Sequence, residues 1–211
     1  MLRLAIAVAM AVTAGGAQAG SCLQKVRNLY ATSLHAYERP PYRSEKSVYD
    51  DDGSLLHVIV STVESPVRTM SGVPGDAVAL VIDRQVWTAP GPNGPWAEAP
   101  SNFPPDRRAA FDRAHAQQMA NIEDPVCEGL VEMDGATYEK YGFSTRTDPD
   151  PEQGGLFFGE RSTVYIDPET RLVMRWEQTD FVSSWSADPD PQLHVTTFDY
   201  DETIRLEPPQ S

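Results

Sequence analysis

Apolar and polar residues alternate with a period of two through most of this chain, and two stretches of helical spacing interrupt the pattern. The alternation is clearest where Cys127, Gly129, Val131 and Met133 interleave with Glu128, Leu130 and Glu132, giving one mostly apolar and one mostly acidic face. Asp134-Gly135 follows. That pair suits a two-residue type I′ turn, in which both positions need positive φ, so residues 127–145 read as a β-hairpin. Further strands are expected over 42–49, 55–64, 78–82, 85–88, 162–166, 171–180 and 194–200, with a short last one at 204–206. Turn signals separate them. Pro66, Gly72, Pro74 and Gly75 read as a break, and the Asp-Pro-rich stretches 148–155 and 186–192 as loops. Leu23, Val26, Tyr30, Leu34 and Tyr37 recur at three- and four-residue steps. They predict a helix over 23–37 with Ser21 as N-cap and Pro40-Pro41 as its stop. A second helix is expected over 107–122, entered through Pro104-Pro105 and Asp106. Its stripe of Phe111, His115, Gln118 and Ile122 is only weakly apolar, which suits a helix on a rim or over an opening, a candidate lid. Consecutive hairpins imply a mostly β fold, an antiparallel meander sheet with two helices.

The first residues change the picture of where the chain works. A short positive start at Arg3, an apolar run over 4–13 and the small residues ending Ala17-Gln18-Ala19 form a signal peptide pattern. The expectation is a cleaved leader of residues 1–19 and a single domain over 20–211, exported to the periplasm. The two cysteines, Cys22 and Cys127, then read as one disulfide joining the first helix to the hairpin. Two rival readings exist. Cys22 as a lipidated N-terminus requires a lipobox, but Ala19 stands where leucine is preferred, and Cys127 would be left unpaired. A redox thiol lacks any Cys-x-x-Cys or local histidine.

Composition excludes further classes. The 17 basic residues face 31 acidic ones, a formal net charge of −14, and no basic run exists. Nucleic acid and anionic membrane surfaces are therefore disfavoured as partners. His35, His57, His115 and His194 lack metal-ligand spacing, and the Asp runs do not match a calcium loop. No nucleophile elbow, P-loop or dinucleotide glycine motif occurs, so no residue is assigned a catalytic role and no cofactor or metal is expected. The four tryptophans, Trp87, Trp96, Trp176 and Trp185, either line a pocket or pair across strands of an ordinary sheet.

The order of elements carries a resemblance. An exported chain opens on an amphipathic helix, a meander follows with Trp87 and Trp96 flanking a turn, and a second helix sits mid-chain. The end runs Val164-Tyr165-Ile166-Asp167-Pro168-Glu169-Thr170-Arg171-Leu172-Val173, then Thr197-Phe198-Asp199-Tyr200 and Ile204-Arg205-Leu206-Glu207-Pro208-Pro209. This resembles the LolA-like half-barrel superfamily of bacterial envelope proteins, which includes periplasmic lipoprotein carriers and mycobacterial lipid-carrying lipoproteins. The resemblance implies a curved antiparallel sheet with helices against its concave face and an apolar cavity between them. It implies a non-enzymatic, monomeric carrier of a lipid or acyl chain, with Trp87, Trp96, Phe111 and Trp176 as candidate ligand-binding residues. The alternative is a protein-binding or sensory module with an envelope protein as partner.

Overall fold

The computed structural model describes residues 15–151 and 154–209, the side chains of 15–19 and 187 excepted. The predicted leader falls largely outside them, at 1–14. Among the described residues the order is α1 (Gly15–Tyr30), β1 (Tyr42–Tyr49), β2 (Leu55–Ser65), β3 (Arg68–Gly72), β4 (Val78–Ile82), β5 (Gln85–Ala89), β6 (Ala97–Ala99), α2 (Arg107–Ala120), β7 (Glu123–Met133), β8 (Ala136–Arg146), β9 (Phe158–Ile166), β10 (Val173–Ser183), β11 (Ser186–Asp190) and β12 (Leu193–Tyr200).

All the strands join one open antiparallel sheet in the order β6-β5-β4-β3-β2-β1-β12-β10-β9-β8-β7, with β11 paired to β10. It is the expected half-barrel. One meander, β1 to β6, runs outward from the centre. The chain then crosses through α2 to the opposite edge, and a second meander runs inward until β12 pairs with β1. The single α2 connection therefore links the two outer edges.

Local chemistry accounts for most elements. The turn at Asp134 and Gly135 has φ of 52° and 80°, as a type I′ turn demands, and Met133 pairs with Ala136 across it. Asp106 caps α2 by accepting from the Ala109 N–H at 2.8 Å. Cys22 and Cys127 are disulfide-bonded, with Cα atoms 5.8 Å apart across a separation of 105 residues. The bond ties α1 to β7, as expected.

Several expectations need correcting. Helix α1 is already formed at Gly15, the first described residue, so Ser21 lies within it rather than capping it, and it stops at Tyr30 rather than running to Tyr37. The chain leaves the helix because the Thr32 and Leu34 N–H groups both turn back to the Leu29 carbonyl, while the Ser33 hydroxyl donates to Arg171 O across the sheet. Leu34 is buried all the same. Strand β3 occupies what read as a break. Its sequence, Arg-Thr-Met-Ser-Gly, has little strand character of its own, and pairing on both flanks imposes it. Residues 186–190 pair as β11 rather than forming only a loop, and 204–206 are not a strand. There the Leu206 N–H donates to Glu64 Oε2 at 2.7 Å, and Arg68 donates to the Leu206 carbonyl. The alternating face of 127–133 is also broken. Register shifts between Cys127 and Gly129, where φ of Gly129 is 84°, so Cys127 pairs with Tyr141 but Val131 pairs with Tyr138 on the other face.

The main core lies under the helices. Val26, Leu29 and Tyr30 of α1, with Leu34, pack on Tyr141, Phe143, Val164 and Phe198 of the sheet, and all are 9% exposed or less. Tyr30 meets Phe143 edge to face, with ring centroids 5.6 Å apart.

Candidate binding pocket and its surroundings

The pleat defines two faces. Paired residues in an antiparallel sheet share a face, and neighbours along a strand alternate. Phe198 belongs to the core under the helices and pairs with Ser44, which pairs with Ser61, which pairs with Ser71. That row faces the helices. The rows on either side point the opposite way. One runs Thr197, Glu45, Val60, Gly72, Val78, and the other runs Asp199, Arg43, Thr62, Met70, Leu80.

A cavity of about 700 Å³ is lined by residues of all three rows, with the 73–76 and 90–92 loops as further walls. The helix-side row also contributes, through Ser44, Ser61, Ser71 and Phe198, so the lining draws on both parities of the pleat, on strands remote from the α1–β7 and α2–β8 contacts. Its apolar lining includes Val60, Met70, Val73, Pro74, Val78 and Phe198. The size falls within the roughly 300–1,000 Å³ usual for small-molecule sites. Gly72 fixes one wall. A Cβ there would sit 2.7 Å from the Ala77 carbonyl oxygen and 2.8 Å from Val78 Cγ1, so the close return of the β3–β4 loop requires glycine. The polar residues of the pocket are carried mainly by β1 and β12. Arg43 donates to Asp201 at 2.8 Å. Hydrogen bonds from Thr203 and from Arg43 hold the Asp201 carboxyl down at about 2.

The four residues predicted to bind ligand do not converge, and none lines this pocket. Trp176 sits on the helix-side face and donates from Nε1 to Ser162 Oγ at 2.9 Å. Phe111 packs on α2 against His35 and Tyr37 and stacks on His115, with centroids 5.3, 5.1 and 5.3 Å away. Trp96 lies beside Gly94, just ahead of β6. Trp87 pairs with Leu80 and so shares a face with Met70, two strands away. Sequence reasoning missed the pocket residues themselves. One signal was available. The run Leu55-Leu56-His57-Val58-Ile59-Val60 is apolar on both parities, which marks a strand with work for both faces rather than one.

A second polar feature lies between α2 and the 31–39 segment. His115 is buried and hydrogen-bonded through Nε2 to the Tyr30 carbonyl at 2.6 Å. Its ring lies 4.7 Å from that of His35, whose Nε2 is 3.8 Å from Asp112. Burial pushes the His115 pKa down, partly offset by the bond to Tyr30, and His35 pushes it down further. Among the described residues no group of three or more His, Cys, Asp or Glu is arranged to hold a metal ion. No helix among them is long and apolar enough to cross a membrane.

No family model matches the sequence, and no curated protein matches it. Solved structures do. LppX, a lipoprotein of Mycobacterium tuberculosis, aligns at a TM-score of 0.55 and 13% identity over 89% of this chain and 99% of LppX. LprF of Mycobacterium bovis aligns at 0.53 and 13% identity over 88% of this chain and 97% of LprF. The fold of LppX and LprF is therefore shared across nearly the whole chain.

Proposed function

We propose that this chain is an exported, non-enzymatic protein that binds an apolar ligand, a lipid or acyl chain, and shelters it from water. The observation that carries this reading is the 700 Å³ pocket walled by Val60, Met70, Val73, Pro74 and Val78. The resemblance led to an expected cavity between sheet and helices. The space directly beneath α1 is packed with Val26, Leu29, Tyr30 and Phe143, and the ligand is assigned to the pocket further along the sheet, on β12 and β1 to β4. Each methylene removed from water contributes about 0.8 kcal/mol, so a single acyl chain offers a useful gross driving force. Export is supported by the leader pattern and by a disulfide, which persists in oxidising compartments. Trp87, on the same face as Met70 and two strands away, is the predicted aromatic best placed to extend the binding surface.

The test is native mass spectrometry and lipid extraction of protein purified from the periplasm, together with uptake of the neutral apolar dye N-phenyl-1-naphthylamine. Retained lipid, and dye uptake lost in Val60→Trp, are expected. A clean unliganded mass with no dye uptake would overturn the reading.

One observation favours the alternative of a protein-binding envelope module. Trp185 is 72% exposed at the β10–β11 turn, packed edge-on against the exposed Phe158 at 5.2 Å. A photo-crosslinker at Trp185 should then trap one specific envelope protein in cells. Crosslinks only to abundant, unrelated proteins would remove this alternative.

A further inference from the structure

We infer that Arg107 is a positioning residue for the pocket: its guanidinium ties the hairpins that carry Met70 and Val78 to the start of α2, and so fixes the curl of the sheet on which the pocket is built. The inference rests on the apolar-ligand reading above and adds a residue that shapes the site from outside its lining.

Strand β3 runs from the turn at 66–67 into the pocket, and β4 runs from the pocket to the turn at 83–84. Both are five residues long, so the two turns lie about 13 Å from the 73–76 loop at the other ends of the same strands. Arg107, the first residue of α2, reaches both turns at once. Its Nη1 donates to the Asp83 carbonyl at 2.5 Å and its Nη2 to the Pro66 carbonyl at 3.0 Å. The Asp83 N–H donates in turn to the Val67 carbonyl at 2.8 Å. The same guanidinium lies over the Phe103 ring, 3.8 Å from its centroid. A rigid planar fork holds two carbonyls at a fixed spacing, which an ammonium on a flexible stem does not.

The junction has a reason to need that tie. Asp83 has φ of 55°, a left-handed conformation that is costly for a residue with a side chain. Its N–H and its carbonyl are both spent on holding the two turns and α2 together. The body of α2 packs on β8 and α1, in the covered half. Arg107 therefore anchors the pocket-bearing strands to an element that is itself fixed. Those strands are also held by the pairing of β1 with β12, and by Glu64 and Arg68 on Leu206. Losing Arg107 thus relaxes the curl across β2 to β5 without releasing the strands, and Met70, Gly72 and Val78 lose their set spacing from the 90–92 loop.

Affinity for N-phenyl-1-naphthylamine, measured on the folded protein together with amide exchange, tests this. Arg107→Ala is expected to bind the dye about five-fold more weakly. Arg107→Lys keeps the charge but loses the fork, and should remain about three-fold weaker than wild type. Arg113→Ala removes a charge from an exposed position of the same helix and should bind as wild type does. Coupling between two sites is reciprocal, so saturating dye should slow exchange of the wild-type Asp83 amide by about five-fold, and that gain should vanish in Arg107→Ala. A residue that merely stabilises the fold would leave the Asp83 amide indifferent to dye. Failure of the dye to bind wild type, or binding indifferent to Val60→Trp, would overturn the pocket reading itself. Dye bound in the pocket with wild-type affinity in either Arg107 variant, or an Asp83 amide that ignores it, would overturn only the role of Arg107. So would an equal loss in Arg113→Ala, because charge on the helix rather than the tie would then be responsible. Should Arg107→Ala fail to fold, Arg107→Lys and the wild-type exchange measurement decide by the same outcomes.

Discussion

The two meanders of this sheet solve the problem of an apolar surface in different ways. The β7–β12 half hides its helix-side face beneath α1 and α2, fills the space with Tyr30, Phe143, Val164 and their neighbours, and is tied down by the Cys22–Cys127 bond. The β1–β6 half has no helix on the face that carries Val60, Met70 and Val78, and its loops fold back only far enough to leave a pocket. One half is built to be full and the other to be filled. The second helix, which looks like a lid in sequence, packs with α1 and β8 in the filled half, and under the proposed function binding falls to strands and loops at the other end of the sheet.

Breaking the staple should show that division most strongly. Cys22→Ser with Cys127→Ser releases a 105-residue separation, and the expected loss is about 3–5 kcal/mol by urea denaturation. Dye binding to the fraction that remains folded should be unchanged within about two-fold, since neither cysteine lies near the pocket. A staple-less protein that is equally stable, or that is folded but no longer binds, would dissolve the distinction between the halves. The reciprocal experiment is Val60→Trp. This residue lines the pocket and is 40% exposed, so the indole has room to enter it. Dye affinity should fall about ten-fold or more while stability stays within about 1 kcal/mol.

Much of the fold was legible because its signals are local. Asp134-Gly135 dictates its turn, Asp106 dictates the start of α2, and two cysteines leave one intrachain pairing. What escaped was set by long-range pairing. Strand β3 exists because β2 and β4 hold it, and α1 ends early because Ser33 finds Arg171 138 residues away. The Gly129 bulge moves half of β7 to the other face, which no alternation rule anticipates. The pocket was hidden for a related reason. A tryptophan announces itself in a sequence, whereas Val60, Met70 and Gly72 become a site only when register aligns them on one face.

The C-terminal segment sharpens the comparison from the open half. Glu64 accepts from both the Leu206 N–H and Arg68, the latter at 3.0 Å, and its side chain is only 20% exposed. Burial opposes ionisation of Glu64, but these bonds outweigh it and hold the carboxyl below its usual range. Glu64→Gln should cost about 1–2 kcal/mol. It should also raise hydrogen exchange at Leu206 while leaving the Cys22–Cys127 half protected. Equal protection loss in both halves would argue that the sheet opens as one unit.

The smallest expected effect lies on the covered side, and its sign is fixed. The folded-state pKa of His115 is depressed, chiefly by burial and further by His35, with Tyr30 O and Asp112 opposing. The unfolded chain therefore takes up a proton first as pH falls. Stability from this group is complete above about 6.5 and is lost as pH drops through the depressed folded-state value. Glu160 acts in the opposite sense. Burial raises its carboxyl above the ordinary 4.5, against a hydrogen bond from Gln178, so its contribution declines as pH rises from there. The two windows adjoin, and wild-type stability alone would blur them. His115→Gln separates the two, because it keeps an N–H able to reach the Tyr30 carbonyl but removes the titration. The variant should lose the decline in stability that sets in as pH falls below about 6.5 and should keep the wild-type dye affinity. A pH profile identical to wild type would mean that this histidine is not the group whose protonation loosens α2.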